Sequence, residues 1–175
     1  MKLTILLFML LNFDLVRADE VKTVDYVDLN KYLGAWYEIA SFPQRFQKGC
    51  YCTKAVYSLR SNGKVDVVNS CKKNGPSGKL KVAKGYANVT DKKSNSKLRV
   101  TFFWPFFGDY WIIGLDSINY KWAVVSNPDR DTLWILSRTP VLEKNMLQQA
   151  LATAVAQGLD LSKLEYGNIR DCDFR

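Results

Sequence analysis

The chain has 175 residues, a formal net charge of +8, four cysteines and no histidine. That length suits one domain with room for a core or an enclosed cavity. The missing histidine excludes Ser-His-Asp and Cys-His catalysis, histidine acid–base chemistry, and haem or zinc held by histidine.

Lys2, the apolar run Leu3 to Leu11 and the small residues around Val16-Arg17-Ala18 read as a signal peptide over residues 1–18. The run is too short for a membrane anchor, and no cysteine follows it directly, so a lipid-modified N-terminus is not expected. Residues 19–175 then form the mature domain. Without Lys2, Arg17 and Asp14 the net charge is +7. A basic surface serves solubility and also favours anionic partners such as phospholipid head groups. Lysine and arginine are spread along the chain rather than clustered, so nucleic acid is not an expected partner.

Short strands separated by turn residues follow, at the spacing of a sandwich or barrel. The first covers residues 34–41. Residues 52–60 and 64–71 flank Ser61-Asn62-Gly63, a strong hairpin signal because Asn and Gly both accept positive φ. A loop at residues 74–78 leads to a strand over 79–89. Residues 97–103 alternate, with Lys97, Arg99 and Thr101 on one face and Leu98, Val100 and Phe102 on the other. Trp104-Pro105-Phe106-Phe107-Gly108 is an unusually apolar loop that reads equally as core under a barrel or as a lip at its mouth. Strands over 109–116, 120–126 and 132–137 complete a set of eight. The period then changes: Thr139 and Pro140 can start a helix, Leu142, Met146, Ala150 and Ala154 recur at helical spacing, and Gly158 can end it. The expectation is an all-β, eight-stranded antiparallel up-and-down barrel with one C-terminal helix of about 17 residues packed outside.

Cys50, Cys52, Cys71 and Cys172 make an even count behind an export signal, which reads as two disulfides with three pairings open. Cys50 and Cys52 are too close for the usual zinc spacing, so no metal is expected, and no cofactor.

The segment Gly34-Ala35-Trp36-Tyr37-Glu38 resembles the Gly-x-Trp signature of the lipocalin family, and Trp134-Ile135-Leu136-Ser137-Arg138 resembles its last strand. Closer likeness lies in Tyr32 to Ala40, Pro43-Gln44-Arg45-Phe46, Tyr57-Ser58-Leu59, Phe103 to Tyr110 and Asn127 to Pro140. Together they resemble the bacterial lipocalin (Blc) branch, which includes apolipoprotein D and plant temperature-induced lipocalins. The resemblance implies that Arg138 stacks on Trp36 at the closed end of the barrel, beside Gly34, as a cation–π contact. It also implies a small hydrophobic ligand: a fatty acid, a lysophospholipid or a similar amphiphile, linked to storage, transport or membrane maintenance. The protein would be secreted, or periplasmic or outer-membrane-associated in a Gram-negative source. Many bacterial members are outer-membrane lipoproteins, and this sequence departs from them in lacking the lipidated cysteine.

Alternate residues of a small barrel face its lumen. With Arg138 at the closed end, Trp134 and Leu136 face inward, as do Leu98, Val100 and Phe102 on the fifth strand. Similar parity turns Tyr57, Val67, Tyr110, Ile112 and Val125 inward. An acyl chain entering the open end would lie against Phe102, Tyr110 and Trp134, with Tyr57 or Tyr110 hydrogen-bonding a polar head. Aromatic residues inside a barrel also serve as plain core, and a packed barrel with an interaction role is one alternative. Another is a lipocalin-fold enzyme using a cavity cysteine, which needs a thiol left out of the disulfides. Peripheral membrane contact through residues 104–108 is a further partner expectation. For the disulfides, alignment with apolipoprotein D implies Cys52–Cys172 and leaves Cys50–Cys71. The hairpin at Asn62-Gly63 brings Cys71 near both candidates, so Cys52–Cys71 with Cys50–Cys172 stays open.

Overall fold

Segments of alternating polarity become eight antiparallel strands in the computed structural model, which describes residues 20–169 and 171–174. They are β1 (Gly34–Ser41), β2 (Cys50–Leu59), β3 (Val65–Lys73), β4 (Leu80–Val89), β5 (Lys97–Phe103), β6 (Phe106–Leu115), β7 (Trp122–Ser126) and β8 (Leu133–Ser137). The expected signal peptide lies outside the described residues. Each strand pairs with the next in sequence, and β1 pairs with both β8 and β2, so the sheet closes into a barrel. Closure satisfies the backbone donors and acceptors that an open edge would leave unpaired.

The structure adds pieces that periodicity did not announce. A two-residue strand β9 (Glu165–Tyr166) pairs with β1 on the outside. A four-residue helix α1 (Leu29–Tyr32) precedes the barrel, its N-terminus capped by the Asp28 carboxylate, which accepts from the amide of Asn30 at 2.9 Å. The segment before it crosses one end of the barrel: Val24 N–H donates to the Ile112 carbonyl (2.9 Å) and Val27 N–H to that of Ser94 (2.7 Å). That strap makes one end closed.

Most strand limits shift by one or two residues, and two expected boundaries move further. The apolar stretch at residues 104–108 is mostly strand rather than loop. Phe103 pairs with Phe106 across a two-residue turn, and their rings stack 6.3 Å apart, which carries Phe106 and Phe107 into β6. The C-terminal helix α2 (Lys144–Ala156) is shorter than expected. Thr139 does not cap it, because its hydroxyl donates to the Val141 carbonyl at 2.7 Å in a local turn. Ala150 and Ala154 are fully buried where α2 meets β6 and β7. Gly114 permits that contact: a Cβ there would lie 2.7 Å from the Thr153 methyl and 3.2 Å from Val124.

Cys50 is bonded to Cys71 between β2 and β3, and Cys52 to Cys172, with Cα separations of 5.4 and 5.5 Å. Cys52 sits at φ 55° where the β2–β3 register shifts, and its N–H donates to the Asn168 carbonyl at 2.9 Å. The irregularity thus turns Cys52 toward the C-terminal segment and leaves Cys50 and Cys71 to each other. All four cysteines are engaged, so none offers a thiol to a ligand.

Candidate functional site

The barrel encloses a cavity of about 590 Å³ that opens at the end opposite the N-terminal strap. That volume falls in the roughly 300–1,000 Å³ span of small-molecule sites. Trp36 and Arg138 sit at the floor. The Arg138 guanidinium lies 3.9 Å from the centre of the fully buried indole. The same guanidinium donates to the carbonyls of Leu33 (2.8 Å), Ala35 (2.9 Å), Tyr120 (3.3 Å) and Lys31. It therefore ties α1 and the start of β1 to the β6–β7 turn. Gly34 lies beneath it at φ +90°, a conformation that glycine adopts without strain.

Nine of the ten residues that parity turns inward face this cavity: Tyr57, Val67, Leu98, Val100, Phe102, Tyr110, Ile112, Trp134 and Leu136. Val125 does not. It is fully buried in the interior cluster, opposite Ile112 and Trp134 on the neighbouring strands, and contributes packing behind the lining. Inward parity alone cannot distinguish a side chain that reaches the lumen from one overlaid by larger neighbours.

Tyr110 also takes a different role from the one expected. Its hydroxyl lies 2.8 Å from that of Tyr32 and 3.1 Å from that of Tyr57, forming a three-hydroxyl cluster near the floor. Burial pushes the Tyr57 hydroxyl up to about 12, and burial likewise raises Tyr32 and Tyr110 well above the ordinary tyrosine value. The cluster is therefore neutral at physiological pH. Its hydroxyls are shared among themselves.

The main residue that the sequence reading left unassigned is Glu38. It follows Trp36 by two positions, so strand parity turns it toward the lumen, and that signal was available. Its buried carboxylate lines the cavity and accepts from the Ser41 hydroxyl (2.9 Å) and the Gln47 side-chain amide (2.5 Å). The register shift in β1 between Glu38 and Ala40 brings Ser41 back to its side. Gln47 in turn accepts from the Trp134 indole N–H at 3.2 Å.

Burial raises the Glu38 carboxyl above its ordinary value, against the opposing pull of Gln47 and Ser41. A raised carboxylate in the folded state means that folding takes up a proton in the window between the unfolded and folded values. The cost of the buried charge is therefore absent below about pH 4 and grows as pH rises through that window. Glu38→Gln is expected to gain stability relative to the parent protein between about pH 3.5 and pH 7. Paired thermal melts at the two values check this, and a difference that stays constant with pH would refute the raised carboxyl.

The mouth is apolar on one side. Phe103, Trp104 and Phe106 at the β5–β6 turn are 75, 73 and 71% exposed, and Phe46 stands on the β1–β2 loop. Of the two roles open to residues 104–108, the exposed lip is the one adopted. Arg45, Lys48, Lys73 and Lys81 lie on the adjoining side, with the Lys81 ammonium 3.2 Å from the Phe46 carbonyl and that of Lys73 on the Lys48 carbonyl. No helix among the described residues is long and apolar enough to cross a membrane.

The family model for the lipocalin-like domain matches residues 27–168. The chain is 44% identical over 145 residues to the outer membrane lipoprotein Blc of Citrobacter freundii, covering 82% of this chain and 80% of that one. It is 33% identical over 170 residues to apolipoprotein D of Mus musculus, covering 92% and 87%. Among solved structures, insecticyanin of the tobacco hornworm Manduca sexta superposes with a TM-score of 0.70 at 26% identity, over 89% of this chain and 87% of that one.

Proposed function

This chain belongs to the lipocalin-like family, and from that premise we propose that it holds an amphiphile with an acyl chain inside its barrel. A fatty acid, a lysophospholipid or a similar small molecule is the ligand, held for storage, transport or membrane maintenance. The observation that carries this reading is the cavity, open at one end and walled by Leu98, Val100, Phe102, Ile112 and Trp134. Because Trp36, Arg138 and the N-terminal strap block the floor, the chain enters tail first from the mouth. Affinity comes mainly from burying methylenes, at about 0.8 kcal/mol each.

The protein is exported after loss of residues 1–18, and in a Gram-negative source it works in the periplasm or at the outer membrane. The bacterial relative's name, an outer membrane lipoprotein, supports that location. Exchange with a membrane takes place at the mouth. Exposed Phe103, Trp104 and Phe106 suit the interfacial layer, and the neighbouring Arg45, Lys48, Lys73 and Lys81 suit anionic head groups.

Native mass spectrometry of the protein purified without detergent tests the carrier reading. The expected result is an added mass of a few hundred daltons, on the order of one lipid, that is lost on denaturation. Bare protein that also fails to take up lysophospholipid in a later titration would count against it.

A further inference from the structure

We propose that Glu38 and the Trp134 indole N–H form a head-group subsite in the upper cavity, selecting an uncharged head that both donates and accepts hydrogen bonds, such as a primary carboxamide, over a carboxylate. The inference rests on the carrier reading and adds a head-group preference among the amphiphiles it admits.

The protein itself displays the chemistry. Glu38 on β1 and Trp134 on β8 both line the cavity, on strands that pair with each other. The Gln47 carboxamide lies between them, its nitrogen donating to Glu38 Oε2 at 2.5 Å and its oxygen accepting from Trp134 Nε1 at 3.2 Å. The orientation of that amide follows from its partners, since a carboxylate only accepts and an indole N–H only donates. The pair therefore specifies one donor and one acceptor on the same small group. Gln47 ends a short 3₁₀ turn (Arg45–Gln47) whose neighbours Phe46 and Lys48 are exposed, so withdrawing its side chain uncovers no core. A ligand carboxamide that displaces it inherits both hydrogen bonds, and a hydroxyl inherits them in part.

A carboxylate head meets the opposite situation. It offers no donor to Glu38 and sets two negative charges side by side in an apolar cavity, where each disfavours the other. Beside burial, the groups that act on the Glu38 carboxyl are Gln47 and Ser41, and the lysines that line the same cavity, Lys54 and Lys81, form no ion pair with it. The Tyr57 hydroxyl, on the adjacent strand β2, is neutral and already shared with Tyr110.

The test holds the chain constant and varies the head. Oleamide, oleyl alcohol and oleate are titrated at about pH 8, where an ordinary carboxyl is ionised, against the parent protein, Glu38→Gln and Gln47→Ala. Tryptophan fluorescence reads binding, with circular dichroism as the folding check. The parent is expected to bind oleamide about tenfold more tightly than oleate, the scale of one hydrogen bond to a charged group. Glu38→Gln, close in shape to the original side chain, removes most of that gap by strengthening oleate. Gln47→Ala vacates the slot and strengthens oleamide more than oleate. A gap that survives Glu38→Gln, or an oleamide affinity unmoved by Gln47→Ala, overturns the subsite. Equal binding of all three heads by the parent also overturns it and leaves the carrier reading standing. Failure of every head to bind overturns both.

Discussion

Val100→Asp is expected to abolish binding of fatty acids and lysophospholipids while the barrel stays folded. Val100 lies midway along β5, between Leu98 and Phe102 on the face that lines the cavity. An aspartate there sits at the wall of an apolar lumen, and its partners on the neighbouring strands, Ala87 and Gly108, offer it no cation. In the empty protein, water in the cavity hydrates the carboxylate. An acyl chain must remove that water, and an unpaired charge stripped of water costs several kcal/mol. Since each step of about 1.4 kcal/mol is a factor of ten, affinity should fall by roughly a hundredfold or more. The control is Val56→Asp on β2, where Val56 is exposed and its neighbour Tyr57 takes the inward position. Quenching of tryptophan fluorescence by a titrated lysophospholipid measures both variants, with circular dichroism alongside. Unchanged affinity in folded Val100→Asp would put the ligand outside the barrel and end the carrier reading.

The second large effect is at the floor. Trp36→Ala removes a fully buried indole that stacks under Arg138, tilts against the Tyr32 ring at 4.9 Å and donates to the Tyr32 carbonyl at 2.8 Å. Truncating a buried tryptophan costs about 3–5 kcal/mol, which for a chain of this length lowers Tm by roughly 6–20 °C. Arg138→Ala should cost a comparable amount for another reason: four backbone carbonyls, those of Lys31, Leu33, Ala35 and Tyr120, lose their donor together. Arg138→Lys should not rescue it, because an ammonium cannot span four acceptors with a planar fork or stack on the ring. Thermal melts of both single variants and the double variant give the coupling energy. A coupling near zero would mean that the stacking geometry contributes nothing of its own.

Much of the cavity was legible because a strand has a period of two. Once Arg138 is set at the closed end, Trp134 and Leu136 must face inward, and Leu98, Val100 and Phe102 share one face by alternation alone. Strand limits at residues 34–41 and 97–103 coincide with β1 and β5. Parity is a local rule, however, and says nothing of depth. Val125 obeys it and still fails to reach the lumen. Tyr110 obeys it too, yet the position of its hydroxyl depends on Tyr32, which a separate helix delivers to the floor.

The barrel, the helix beside it and the faces of most strands could be read from the order of residues, because they follow from periodicity, and the Trp36–Arg138 pair was implied by the family resemblance of the motifs that carry it. How the ends of the barrel are finished could not. The strap before α1 and the Glu38–Gln47–Trp134 chain emerge only in three dimensions, and tertiary structure decides between the alternatives that stayed open for the aromatic lip and the sulfur partners, since these features join or place residues distant in sequence. Such contacts depend on where loops land once the barrel has closed, and no local pattern encodes that position.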